Sequence, residues 1–275
     1  MNRLPKTYTD LVDAKGLSSR VLLDGAMQQR LGTRLAEHPE GAISLFADYP
    51  KTARALGPWL MTEERAATLG IDGSARGVNW LASDWPIVEV EAHLLLWMRG
   101  PDRHSRNWHR LADGRALNAL FSVWTVTQQH AFSQLWRAWC YADRNGAGRL
   151  LRLSHTFVSQ TPVSPALDPA QQLALNRATL ADALIHELKP FTALHASVKS
   201  CREKRHASVD AVLTRAMAAG YTDLKDLGAL TAWTLRTGAH APEQMAGLTA
   251  VQQQLSGSAL LEALESQADS AEVGV

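Results

Sequence analysis

The sequence lacks the features that mark secreted, membrane-spanning or nucleic-acid-binding proteins. It has only two cysteines, Cys140 and Cys201, and their spacing forms no motif, which indicates a reducing compartment. Its 28 lysines and arginines face 27 aspartates and glutamates, so no net charge attracts nucleic acid or an anionic membrane. The first residues carry no apolar signal core, and no stretch is long and apolar enough to span a bilayer. We therefore expect a soluble cytoplasmic protein that binds neither nucleic acid nor membrane.

Familiar catalytic and cofactor-binding motifs are also missing. The sequence contains no Gly-x-Ser-x-Gly elbow and no Gly-x-x-x-x-Gly-Lys-Ser/Thr loop. His104 and His109 lie five residues apart, with no cysteine or acid at a ligand spacing, so we expect no metal there. Residues 70–77 are glycine-rich, but no helix opens where a phosphate would need its amides, and we expect a flexible loop. The sequence thus predicts no enzyme, no metal and no cofactor.

Strand-like and helix-like segments alternate in the first part of the chain. Strands are predicted over residues 21–23, 59–61 and 77–82, and helices over residues 27–35 and 51–56 and over a segment with Ile87, Val90, Leu94 and Trp97 on one face. The Asn145-Gly146 pair favours a tight hairpin between strands at residues 136–141 and 150–153. The pattern predicts an α+β protein, whose residues 18–155 form an N-terminal α/β lobe with a small mixed sheet.

The second part of the chain has a helical pattern. Residues 156–169 include three prolines and are predicted to be a linker. Beyond it, Leu173, Leu180, Leu184 and Leu188 recur at helical spacing. We predict a C-terminal all-α lobe of about four helices over residues 170–258. One of its helices is capped by Thr222 and ended by Gly238, and the next is opened by Pro242. Residues 259–275 are predicted to be a frayed acidic tail.

Asp24 ends the first predicted strand and is followed by Gly25, which leaves two interpretations open. A strand ending in Asp-Gly occurs in haloacid-dehalogenase phosphatases, but their second acid, two positions later, is replaced here by Ala26. In the other interpretation, Asp24 accepts hydrogen bonds from backbone amides and shapes the turn before a helix. A hydrolase with a site around Asp24 or Asp113 therefore remains an alternative.

Two further groups of residues are candidates for binding a partner. The basic run over residues 199–206, predicted to lie within a helix, contains Arg202, Lys204 and Arg205 but no aromatic side chain for base stacking. It is interpreted as a solvated face or a patch for an acidic partner protein, with a nucleic-acid-binding regulator as a further alternative. Leu230, Trp233 and Met245 are either apolar anchors for a partner or part of the core of the helical lobe.

Several motifs follow one another in an order that resembles a known family. They are Val-Leu-Leu-Asp-Gly-Ala at residues 21–26, Ser-Leu-Phe at 44–46, Gly-Pro-Trp-Leu at 57–60 and Gly-Val-Asn-Trp-Leu-Ala-Ser at 77–83. This series resembles the type VI secretion effector-adaptor family, a domain-of-unknown-function family whose members are called Tap or TEC chaperones. The family's next element matches at Arg110, Asp113, Arg115 and Leu117. Ala112 and Gly114 replace its aromatic residue and its proline, so the chain resembles a divergent member.

The resemblance implies a cytoplasmic adaptor without enzymatic activity. Such proteins bind a toxic effector, often at a PAAR-like or N-terminal segment, and help to load it onto the VgrG spike. Its motif residues would then form the scaffold: Asp24, Gly25, Pro58 and Trp59, with Arg110, Asp113 and Arg115 in a partly buried charged cluster. We expect an apolar effector segment to bind the helical lobe or a groove between the lobes, by a helix-in-groove or strand-addition mode.

Overall fold

The computed structural model describes residues 4–99, 108–153, 163–189, 192, 194, 196–199, 201–238, 255–257, 259–260 and 262–264. The chain divides into two compact units, Met1–Leu175 and Asn176–Val275. Each unit has a hydrophobic core of its own. The boundary between them lies within one long helix.

The first unit combines helices with a sheet. Its helices are α1 (Lys6–Lys15), α2 (Gln29–Glu37), α3 (Lys51–Leu56), α4 (Glu63–Thr68), α5 (Ile87–Arg99), α6 (Gly114–Val123) and α7 (Val126–Ser133). Its strands are β1 (Ser18–Asp24), β2 (Ala42–Ser44), β3 (Pro58–Thr62), β4 (Val78–Ser83), β5 (Ala138–Ala142) and β6 (Gly148–Leu150). Together with the helical C-terminal part, this arrangement confirms the predicted α+β class.

The six strands of the described residues form one sheet in the order β2-β3-β1-β4-β5-β6. Every described pairing is antiparallel, so the sheet is not the mixed one that was expected. Alternation of strands and helices along a sequence does not fix strand direction, which is why the pattern gave a wrong expectation here. The predicted hairpin is confirmed, because β5 pairs with β6 across the turn that contains Asn145 and Gly146.

The central strand β1 is covered on both faces of the sheet. Leu22 packs into one core, while its neighbours Val21 and Leu23 pack into another, because successive side chains of a strand point to opposite faces. The core on the Leu22 side is rich in aromatic residues supplied by α5, α6, α7, β5 and the short connections after α6 and α7, namely Trp97, Phe121, Trp124, Phe132, Trp136 and Trp139. The core on the other side includes Tyr8 of α1, Leu35 of α2 and Ala66 of α4.

The second unit is helical in its described residues. Helix α8 (Pro169–Leu188) crosses the boundary, and α9 (Ala196–Lys199), α10 (Arg202–Ala218) and α11 (Leu224–Thr237) follow. Asp223, not the predicted Thr222, caps α11, because its carboxylate accepts the Lys225 N–H at 2.6 Å. Gly238 ends α11 as predicted, in the left-handed conformation that glycine adopts most easily. No helix of these described residues, or of those in the first unit, combines the length and apolar character needed to cross a membrane.

One further sequence prediction needs correction, and others lie outside the described residues. Residues 259, 260 and 262–264 are helical, and Leu260 and Leu264 pack in the core of the second unit. The start of the predicted frayed tail is therefore ordered, because these two leucines lie four residues apart on one helical face. In the loop over residues 70–77, the Asp72 carboxylate accepts the Ser74 N–H at 2.9 Å, and the flexibility of this loop stays a prediction. His104, Met245, the helix start at Pro242 and residues 265–275 lie outside the described residues.

Candidate functional site

Asp24 connects the end of β1 to two distant parts of the first unit. Its Oδ1 accepts the Met27 N–H at 3.1 Å, in the turn that leads to α2. Its Oδ2 accepts a hydrogen bond from the Arg110 guanidinium at 2.9 Å, and its own N–H donates to the Gly77 carbonyl at 2.7 Å. The Asp24 side chain is almost completely buried. The carboxylate therefore occupies the turn-shaping position of the second interpretation, with an added ion pair.

Asp113 forms the other half of a four-residue charge cluster with Asp24, Arg110 and Arg115. It caps α6 by accepting the Arg115 N–H at 3.1 Å, and the Arg115 guanidinium donates to both of its oxygens, at 3.0 and 2.8 Å. The half-exposed Arg110 lies 3.6 Å from the same carboxylate, so it bridges Asp113 and Asp24. The cluster places two carboxylates against two guanidinium groups, which balances its formal charge.

Burial and arginine contacts act in opposite directions on Asp113. Burial raises the pKa of its carboxyl, but the hydrogen bonds from Arg115 and the charges of Arg115 and Arg110 outweigh burial, and the net pKa lies below its ordinary value of 3.8. The carboxylate is consequently ionised at neutral pH. An ionised carboxylate between two arginines can hold backbone segments in place. This is the scaffold role that the sequence predicts for Asp113.

Gly25, Pro58 and Trp59 lie where β1 and β3 meet. The Gly25 N–H donates to the Gly57 carbonyl at 3.0 Å, and a Cβ on Gly25 would lie 2.3 Å from the Ala55 oxygen. Pro58 is the register partner of Asp24. Trp59 is fully buried, and its indole N–H donates to the Arg54 carbonyl at 3.0 Å. These residues form a closely packed corner between the sheet and α3.

Asn79 is a buried polar residue of the motif at residues 77–83, for which the sequence predicted no role. Its Nδ2 donates to the Ala112 carbonyl at 2.6 Å, and its Oδ1 accepts the Trp139 indole N–H at 3.1 Å. One amide thus connects β4 to the segment before α6 and to β5. The sequence could have pointed to this residue, because an amide side chain inside an otherwise apolar strand will be buried and must then have hydrogen-bond partners.

The predicted partner-binding residues are not all on the surface. Leu230 is fully buried and Trp233 nearly so, and both belong to the core of the second unit, so they do not present an exposed apolar face. This outcome follows the core alternative that helical spacing left open. Met245 lies outside the described residues.

The basic run is divided between two helices and does not lie within one. Lys199 ends α9, and Cys201 occupies the N-cap position of α10. Arg205 is buried, and its guanidinium donates to the carbonyls of Val198 at 3.0 Å and Lys199 at 2.8 Å. Helix ends leave carbonyls without partners, and Arg205 donates to two of them at the end of α9. Its side chain is therefore not part of an exposed basic patch. Arg202 and Lys204 are exposed.

Histidines and acids of the described residues do not gather into a metal site. His109 Nδ1 lies 3.0 Å from the Trp97 carbonyl oxygen, and burial lowers the pKa of its imidazole. In the part of the chain that the structure describes, no group of three or more histidine, cysteine, aspartate or glutamate side chains is placed to hold a metal ion.

The comparison with known families gives one match. A family model described as a domain of unknown function, DUF4123, matches residues 21–131. The matched segment extends from β1 into α7 and contains the whole charge cluster together with Gly25, Pro58, Trp59 and Asn79. No curated protein matches the chain, and no solved structure does.

Proposed function

We propose that this protein is a cytoplasmic adaptor that binds a type VI secretion effector and promotes the loading of that effector onto the VgrG spike. The observation that carries this proposal is the family match over residues 21–131, because the family is known in type VI secretion adaptors. The order of the motifs over the same residues also supports the proposal, and this support does not depend on any single residue. The partner is an effector, bound at a PAAR-like or N-terminal segment.

In this proposal the charge cluster is scaffold and not a catalytic site. Asp24 and Asp113 each accept hydrogen bonds from an arginine and from a backbone amide. Those bonds hold the two carboxylates against the backbone and the arginines, as a scaffold role requires. The protein acts by stoichiometric binding, without turnover and without a cofactor.

Co-purification tests the binding step. The tagged protein is expressed with each candidate effector and spike protein of its own genome, and the eluate is measured by size-exclusion chromatography with light scattering. We expect one effector to co-elute with the protein, at a mass equal to a complex of the two chains in a whole-number ratio. An effector that belongs to another spike serves as the control and should elute separately. If every candidate elutes without the protein, the adaptor proposal is wrong.

The two alternatives predict different results. A hydrolase using Asp24 would lose a measurable turnover in the Asp24→Asn variant while its folding stayed intact. A nucleic-acid-binding regulator would bind DNA or RNA with an affinity that falls steeply as salt is raised. The adaptor predicts neither result, so both assays on the purified protein separate the three functions.

A further inference from the structure

Helix α5 is apolar on the face that it turns toward solvent. Its inner face buries Val90, Leu94, Trp97 and Met98. On the opposite face, Val88, Ala92 and Leu96 recur at four-residue intervals and are exposed, Val88 at 68% and Leu96 at 46%. Trp85, two residues before the helix, is 41% exposed. We call these four residues the α5 stripe. Contiguous exposed apolar residues of this kind mark interaction surfaces more often than isolated ones do.

The backbone that carries Trp85 is fixed by buried hydrogen bonds. The buried Arg20 guanidinium donates to the Ser83 carbonyl at 3.4 Å and also to the Trp85 carbonyl. The Trp85 N–H donates to the Ser83 hydroxyl at 3.1 Å. Between them, Asp84 pairs with Arg137 at 2.7 Å. Holding an exposed tryptophan on a fixed backbone lowers the entropy lost on binding, and tryptophan is one of the residues enriched at interface hot spots.

The charges beside the α5 stripe that form no ion pair are acidic, because Arg99, three residues after Leu96, pairs with Asp48 at 3.7 Å and lies over the Trp108 ring. Glu89 and Glu91 follow Val88 by one and three residues, so the helical period places them on opposite sides of the stripe. Within the described residues, neither glutamate forms an ion pair. The nearby Asp84 is already neutralised by Arg137. The stripe is therefore an apolar surface with acidic edges, and it complements an apolar segment with basic edges.

We propose that the α5 stripe docks an amphipathic helical segment of the effector whose apolar face is flanked by lysine or arginine. This proposal rests on the adaptor function and names the surface and the chemistry of its partner. The partner helix packs its apolar side chains against Trp85, Val88 and Leu96. Its cations lie beside Glu89 and Glu91.

Paired substitutions test the apolar part of the proposal in the full-length protein. The Kd for the purified co-eluting effector is compared between Val88→Ser/Leu96→Ser and the control Val126→Ser/Leu56→Ser. The control residues are also at helix ends and equally open to solvent, with Val126 68% exposed, like Val88. We expect the stripe variant to bind at least about tenfold more weakly and the control to bind as the wild type does. Equal binding by both variants overturns the α5 stripe and leaves the adaptor function standing.

Charge reversal and cross-linking test the chemistry of the partner. Glu89→Lys/Glu91→Lys should weaken binding and remove most of its salt dependence, whereas Glu37→Lys/Glu40→Lys, with the same change of net charge, should not. A photoreactive residue in place of Ala92 should cross-link to an effector segment with lysines or arginines beside an apolar helical face. Cross-linking to an acidic segment or to a second copy of this chain overturns the proposal. If no effector forms a complex with the wild-type protein, both this inference and the adaptor function fail.

Discussion

At the scale of single residues, a few buried polar side chains connect distant segments of the first unit. Asn79, Asp24 and Arg20 each hydrogen-bond to segments that are distant in sequence, for example Arg20 to residues 63 and 65 positions away. A buried polar group that loses its partner costs more free energy than the bond itself contributes. These residues should therefore be among the positions least tolerant of substitution.

Replacement of Asn79 tests this directly. Asn79→Ala leaves the Trp139 indole N–H and the Ala112 carbonyl without their partner inside the core. We expect the free energy of unfolding to fall by about 2–4 kcal/mol, measured by urea denaturation. Asn118→Ala is the matched control, because Asn118 is an exposed helical residue whose contact with the Tyr141 hydroxyl is long, at 3.4 Å. A control loss as large as that of Asn79→Ala would contradict the account.

The ionised Asp113 predicts a pH dependence of stability. Since its folded pKa lies below its ordinary value of 3.8, the folded state gains stability from this group above pH 3.8 and loses it as the pH falls through the folded pKa. Asp113→Asn should lower the free energy of unfolding by about 1–3 kcal/mol near pH 6, and the difference from wild type should shrink as the pH falls below 3.8 and through the folded pKa. Urea denaturation over this range measures it.

Asp48→Asn provides the comparison for Asp113. Asp48 also lies near an arginine, but its side chain is mostly exposed and 3.7 Å from Arg99. An exposed pair of this kind contributes at most about 1 kcal/mol. If Asp48→Asn reproduced the pH dependence of Asp113→Asn, general charge loss would explain the effect, and the cluster would not.

The residue scale also shows where sequence patterns stop being informative. The position of Asp24 at a strand end, before a turn, predicted its hydrogen bond to a nearby backbone amide. Its ion pair with Arg110, 86 residues away, depends on how the segment before α6 returns to the sheet. No local pattern contains that information. Likewise, Arg205 belongs to a basic run in sequence, and only the three-dimensional end of α9 turns it inward.

At the scale of elements, close packing of α2 against α3 depends on glycine. A Cβ on Gly32 would lie 2.0 Å from the Ala55 oxygen and 3.0 Å from the Gly25 Cα. Gly32→Ala should therefore destabilise the fold by at least about 1–3 kcal/mol, because the backbone must move apart. Thermal and urea unfolding of the purified variant measure the change.

Gly228→Ala is also a glycine-to-alanine substitution, but it is expected to raise the free energy of unfolding. Gly228 lies inside α11, and a Cβ there would meet nothing within 4 Å. Alanine is favoured over glycine in a helix interior by about 0.5–1 kcal/mol, so this variant should be more stable than the wild type. Destabilisation by both variants would mean that the described packing of α2 is not the cause.

Elements with a strong period were the most predictable. Helix α3 has the bounds that were predicted, and α5 and α11 follow their apolar faces. The short edge strand β2 and the helices α1, α4, α6 and α7 were not predicted. β2 has only three residues, too few to show an alternation, and the pattern of α1 is mostly polar. Predicted strand ends at the hairpin were also displaced, since β6 covers Gly148–Leu150 where residues 150–153 were expected.

At the scale of the whole molecule, the family model matches part of the first unit, and the second unit is helical in its described residues. The family match ends at residue 131, so it does not extend to α8–α11. The adaptor proposal accordingly rests on the first unit, and the docking surface proposed at the α5 stripe lies there as well. The sequence left Leu230 and Trp233 as either anchors or core residues, because apolar helical residues look alike whether they face a core or a partner.

The measurement that tests the central claim most directly is effector secretion by cells with an active type VI apparatus. In a strain that lacks this protein, we predict that the cognate effector disappears from the secreted fraction while VgrG is still secreted. Wild-type protein should restore the effector, and so should the Val126→Ser/Leu56→Ser variant, whereas Val88→Ser/Leu96→Ser should not. Undiminished secretion of every effector in the deletion strain would contradict the account.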